Sequence, residues 1–116
     1  MNLQEETRRI LRASSIVPRK RLGQSFLTDK ETMQRMISYA SLNKDDTVLE
    51  IGAGLGFLTE LLAEKAGKVM AVEVDSRLVK ILRERLRNRV NLSLVEGDIL
   101  KLDVQGFGKV VSTPPY

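Results

Sequence analysis

The apolar positions of this chain change their period several times between the first residue and the last. Over residues 3 to 12, Leu3, Thr7, Ile10 and Leu11 share one side of a helix whose other sides carry arginines, the pattern of an amphipathic arm. Thr28 followed three residues later by Glu31 makes a capping-box pattern, and Met33, Met36, Ile37 and Ala40 recur at helical spacing, predicting a helix from about 29 to 40. The run Thr47-Val48-Leu49-Glu50-Ile51 is short, rich in branched side chains and stopped by glycine, as expected of a buried parallel strand. Leu58, Leu61, Leu62 and Ala66 then form a helical stripe ending at Gly67, which reads as a C-cap. Residues 68 to 74 read as a second strand. Asp75 or Ser76 caps a helix whose Leu78, Ile81, Leu82 and Leu86 face inward. Asn91 to Val95 supply a third strand and Lys109 to Ser112 a fourth. Strands alternating with helices imply right-handed crossovers and a parallel sheet, so the fold class is α/β with a Rossmann-like beginning.

Composition narrows the chemistry more than the fold. With 116 residues and 42% hydrophobic content the chain suffices for one domain with its own core, and no repeat or low-complexity linker interrupts it. It has no cysteine and no histidine, which excludes a disulfide framework, a thiolate metal site and the commonest general base; no metal is expected. No apolar run is long enough for a signal core or a membrane span, so a soluble, cytoplasmic protein is expected. The net charge of +4 suits a nucleic-acid partner without requiring one. Its distribution says more. Arg8, Arg9, Arg12, Arg19, Lys20 and Arg21 crowd the start, while Lys80, Arg83, Arg85, Arg87 and Arg89, with Glu84 among them, read as a solvated helix face.

The segment Glu50-Ile51-Gly52-Ala53-Gly54-Leu55-Gly56 follows the first strand and opens a helix, where the backbone turns sharply and approaches a ligand. A dinucleotide fingerprint spaces its glycines as GxGxxG; here Gly52, Gly54 and Gly56 give GxGxG, with an acid two positions before the first. That favours a nucleoside ligand without a pyrophosphate. S-adenosylmethionine carries an ammonium and a sulfonium, and Glu50 helps to balance that charge. Glu73 ends the second strand beside the first, where its carboxylate can accept both ribose hydroxyls. Asp98, after Gly97 and the third strand, can accept from an adenine amino group; its plainer reading is an ordinary turn acid.

Thr113-Pro114-Pro115-Tyr116 follows the fourth strand. An adenine amino group is a poor nucleophile because its lone pair is delocalised into the ring. A methylating enzyme must accept its hydrogens while aligning nitrogen, methyl and sulfur. Carbonyls fixed by consecutive prolines suit the first task, and Tyr116 can stack on an extruded base.

Arg19-Lys20-Arg21-Leu22-Gly23-Gln24-Ser25-Phe26-Leu27, the glycine loop, Glu73, Gly97-Asp98 and the closing Thr-Pro-Pro-Tyr together resemble, in order, the small-subunit ribosomal RNA adenine dimethyltransferases of the kasugamycin-sensitivity type. The resemblance implies a Rossmann-like fold that uses S-adenosylmethionine to methylate the exocyclic nitrogen of two adjacent adenines in ribosomal RNA of the small ribosomal subunit. It implies Gln24, Ser25 and Leu27 at the methionine end of the cofactor, Gly52 against its backbone, Glu73 on the ribose, Asp98 on the adenine, and Thr113, Pro114 and Tyr116 around the target base. Arg19, Lys20 and Arg21 are the expected RNA contacts. Ser25 stands where the family usually has asparagine or histidine, and Thr113 where it usually has asparagine. On this resemblance residues 1–28 form a basic arm with the opening cofactor motif, and residues 29–116 the first part of a cofactor domain, truncated after about four parallel strands. The alternatives are the erythromycin-resistance type acting on large-subunit RNA, a DNA adenine methyltransferase, and a non-catalytic RNA-binding relative.

Overall fold

A computed structural model describes residues 3–13 and 30–112. The amphipathic arm is helix α1, Leu3–Ala13, with Glu5 and Glu6 in its first turn and Arg12 in its last, each favourable to the helix dipole. It buries Thr7 and Ile10, the Thr7 hydroxyl donating to the Leu3 carbonyl at 2.7 Å. Helix α2, Lys30–Ala40, buries Met33. The expected cap, Thr28, lies outside the described residues.

The remaining elements are β1 (Thr47–Ile51), α3 (Phe57–Lys65), β2 (Lys68–Glu73), α4 (Ser76–Arg85), β3 (Leu92–Glu96), a short 3₁₀ turn (Ile99–Lys101) and β4 (Lys109–Ser112). The strands form one parallel sheet in the order β3-β2-β1-β4. Both expectations, the class and the four strands, are met. The chain runs outward from β1 through β2 to β3, then returns to the other side of β1. This places a topological switch point between β1 and β4, and in such sheets ligands bind beyond the carboxyl ends of the strands.

Register fixes which side chains meet the helices. Thr47 pairs with Lys68 and Glu50 with Val111, so Val48, Glu50, Val69, Ala71 and Val111 point to one face. On that face Val48, Val69 and Val111 share a core with Ile10 of α1, Met33 of α2, Leu58 and Leu62 of α3 and Leu78 of α4. A smaller cluster joins Ala71 to Ala53, Leu82 and Leu86. The amino end of the sheet is closed by polar bonds. Asn91 donates to the carbonyls of Ala63 and Ala66 at 2.8 and 3.3 Å, and Lys44 to that of Glu64 at 2.7 Å. Lys109 reaches the carbonyls of Ala40 and Ser41 at 2.9 and 3.0 Å and Asp46 at 3.2 Å.

Gly67 departs from expectation. The C-cap of α3 is Ala66, in extended conformation, and Gly67 is not left-handed. A Cβ there would overlap the Lys44 carbonyl oxygen, so glycine is needed because two loops touch. Its amide and that of Lys68 both donate to the Asp46 carbonyl, at 3.0 and 3.1 Å.

Candidate functional site

The loop between β1 and α3 is rooted on its neighbour strand. The amides of Gly52 and Ala53 both donate to the Val72 carbonyl, at 2.9 and 3.2 Å, and the Gly54 amide donates to Glu73 Oε1 at 2.8 Å. All three loop glycines take left-handed backbone, with φ of 80° at Gly52, 60° at Gly54 and 89° at Gly56. Gly56 is constrained twice, because a Cβ there would lie 2.8 Å from Leu82 Cδ2 on α4 and 3.0 Å from Leu86 Cδ1 just past it. It caps α3 without a side-chain hydrogen bond to the first-turn amides.

Three acids stand at successive strand ends. Glu50, near the end of β1, is 2% exposed, and the hydroxyl of the wholly buried Thr59 donates to its Oε1. Burial pushes its carboxyl up to about 7; the nearby charge of Glu73 pushes the same way, and the Thr59 hydrogen bond opposes both. Glu73, at the end of β2, is 5% exposed. Its Oε1 accepts from Gly54 and its Oε2 from the Asp75 amide at 2.9 Å, so two backbone groups fix the carboxylate while each oxygen keeps a lone pair. The Gly97 amide donates to the Glu73 carbonyl at 2.9 Å, which sets Asp98 beside Glu73 just past β3. Asp98 also serves as a turn acid: its Oδ1 accepts from the Leu100 amide at 2.9 Å and caps the 3₁₀ turn.

Of the residues singled out in the sequence, the structure thus brings together Glu50, Gly52, Gly54, Gly56, Glu73 and Asp98. Gln24, Ser25, Leu27, Arg19, Lys20, Arg21, Thr113, Pro114 and Tyr116 lie outside the described residues. Three contributors were missed. Thr59 reads as one polar position among several on α3, beside Glu60, Glu64 and Lys65. Asp75 caps α4 as expected, accepting from the Arg77 amide at 2.9 Å and pairing with the Arg77 guanidinium at 2.8 Å; what was missed is that its own amide fixes Glu73. Arg85 is a correction: it is not part of a solvated face but is mostly buried, donates to the Leu55 carbonyl and sits 4.5 Å from the centre of the Phe57 ring. Its neighbours Arg87 and Arg89 do remain at the surface, paired with Glu84 and Glu64. Among the described residues, no group of three or more acids is placed to hold a metal ion, and no helix is long and apolar enough to cross a membrane.

A parallel sheet with a glycine loop after β1 and acids near the carboxyl ends of β1, β2 and β3 is the Rossmann-like fold of S-adenosylmethionine-dependent methyltransferases. Solved structures agree. A dimethyladenosine transferase from Plasmodium falciparum superposes with a TM-score of 0.74 at 32% identity, over 79% of this chain and 34% of its own. The 23S rRNA methyltransferase ErmE gives 0.74 at 39% identity, over 79% of this chain and 38% of its own. Residues 17–111 match the model of the ribosomal RNA adenine dimethylase family, and the chain belongs to that family.

Curated relatives named ribosomal RNA small subunit methyltransferase A, or probably so, are similar along most of the chain. The protein of Syntrophus aciditrophicus (strain SB) is 49% identical over 83% of this chain and 34% of its own length. That of Methanothermobacter thermautotrophicus (strain Delta H) is 46% identical over 98% of this chain and 41% of its own. The chain therefore spans about a third to two-fifths of the length of these relatives.

Proposed function

We propose that this chain forms the S-adenosylmethionine-binding part of an enzyme that methylates adenine N6 in small-subunit ribosomal RNA during ribosome assembly. The observation that carries the reading is the pair Glu50 and Glu73: two buried carboxylates, neither ion-paired among the described residues, at the mouth of a left-handed glycine loop. Such a site repels a pyrophosphate and suits a ligand of net positive charge. S-adenosylmethionine, when bound, supplies a methyl group on a positively charged sulfur.

In this reading Glu50 faces the cationic methionine end together with Gln24, Ser25 and Leu27, and the chain at Gly52, Gly54 and Gly56 leaves room for the ligand. Glu73 uses its remaining lone pairs on the ribose hydroxyls, and Asp98 uses the oxygen not engaged in capping on the adenine amino group. Thr113 is assigned to both the cofactor and the target adenine, Pro114 to accepting from the target amino group through its carbonyl, and Tyr116 to stacking on the base. Arg19, Lys20 and Arg21 contact RNA phosphates. The arm of residues 1–28 and the cofactor portion of residues 29–116 are the working division.

Calorimetry of the chain with S-adenosylmethionine, its demethylated product and NAD tests the cofactor. Heat is expected with the first two, and its absence at millimolar ligand would sink the reading. The substrate is tested by methylation assays on immature small subunits, naked RNA and duplex DNA. The structural likeness to ErmE supports a second reading, large-subunit RNA, which the same assay with that RNA separates.

A further inference from the structure

The glycine loop is held from a second side, by a residue 30 positions away in sequence. Arg85 closes α4 and points back across the first turn of α3. Its Nη1 donates to the Leu55 carbonyl, its Nη2 lies 3.4 Å from Glu60 Oε1, and its guanidinium carbon lies 4.5 Å from the centre of the Phe57 ring. These partners bracket Gly56. The absence of a side chain there is part of the fit, because a Cβ would stand 3.3 Å from Arg85 Nη1. A planar guanidinium can donate along two directions while its face lies on a ring; an ammonium, compact and strongly hydrated, cannot do all three. Arg77 on the same helix is tied to Asp75, and Arg87 to the exposed Glu84. Arg85 is the cation of α4 that bonds the loop backbone.

We infer that Arg85 is a positioning residue for the cofactor loop: by gripping the Leu55 carbonyl and the Phe57 ring it fixes the backbone from Gly54 to Phe57 in the shape that receives S-adenosylmethionine. It does so opposite the Val72 carbonyl and Glu73, which hold the loop from β2. The inference rests on the reading of this loop as the cofactor site.

The test compares Arg85→Met, which keeps the apolar stem, with Arg85→Lys and with Arg87→Met, in the whole 116-residue chain. Two readouts are taken: amide hydrogen exchange without ligand, and the calorimetric Kd for S-adenosylmethionine. With a charge-assisted hydrogen bond removed, Arg85→Met is expected to speed exchange at Gly54 and Gly56 about tenfold and to raise the Kd about tenfold. Exchange in β1 and β2 should stay as in the parent. Arg85→Lys should fall between, and Arg87→Met should match the parent in both readouts. Unchanged exchange at the two glycines, or a rise shared by β1 and β2, overturns the inference, as does an unchanged Kd. A parent chain that takes up no S-adenosylmethionine would sink the functional reading and with it the cofactor role of Arg85. The exchange data would then still show whether the clamp on the loop exists.

Discussion

The two ends of the sheet are built from the same kinds of parts and use them oppositely. Each has a glycine pressed against another segment, Gly67 at the amino end and Gly56 at the carboxyl end. Each has cations gripping helix or loop carbonyls, Lys44 and Lys109 at one end and Arg85 at the other. At the amino end the acid, Asp46, is matched: the Asn43 amide, and after it Lys109, hold its carboxyl below its ordinary value. At the carboxyl end Glu50 and Glu73 are buried and close enough to feel each other's charge, with hydroxyl and amide donors but no cation among the described residues. An end that satisfies its charges internally stabilises; an end that buries charge without a counter-charge is arranged for a ligand that brings one.

That contrast can be broken or sharpened by substitution. The largest effect is expected from Gly67→Ala, whose Cβ would force the Lys44 loop away and cost about 3 kcal/mol in chemical denaturation. Cofactor affinity of the folded fraction should not change; a matching loss of affinity would mean that the two ends are not separable.

Glu50→Gln should act in the opposite sense. Because Glu50 lies at about 7 in the folded chain against 4.5 as its ordinary value, the folded state holds its proton more tightly. The stability linked to this group is full below about pH 4.5 and falls as pH rises to about 7. Replacing the acid should therefore stabilise the chain at pH 8 by about 3 kcal/mol relative to the parent, and should flatten the stability profile between those limits. It should also weaken S-adenosylmethionine. In the parent, uptake of that cation near pH 7 should release a fraction of a proton, seen as a dependence of binding heat on the buffer's ionisation enthalpy. A stability profile that is flat in the parent would remove Glu50 from this role.

The smallest effect is expected at Lys109→Met, which removes three acceptor contacts at a partly exposed site and should cost about 1 kcal/mol with cofactor binding untouched. Thermal denaturation with and without ligand checks both halves.

Much of this was legible in the sequence because the signals are local. The first strand announces itself as a short branched run stopped by glycine, and the others as short runs between helical stripes and turns. The spacing of Gly52, Gly54 and Gly56 marks a backbone that must turn left-handed, and Glu50, Glu73 and Asp98 stand out as acids at strand ends. What escaped depends on residues distant in sequence. Gly67 looked like a helix stop because nothing near it reveals that the Lys44 carbonyl arrives there. Arg85 looked like its neighbours because a cation in a run of cations gives no sign that its partner is Leu55. The acceptor role of Glu50 for Thr59, nine residues on, depends on how α3 lies against β1. The parallel class followed from alternation, whereas the seat of β4 beside β1 did not.

The rooting of the glycine loop on β2 also bears on the order in which the molecule is assembled. The amides of Gly52, Ala53 and Gly54 donate to the Val72 carbonyl and the Glu73 carboxylate, which lie about twenty residues later. A chain made from its amino end therefore cannot form these bonds until β2 has been made and has docked. The site is completed by the strand that follows it, and its formation reports that β1, α3 and β2 have come together.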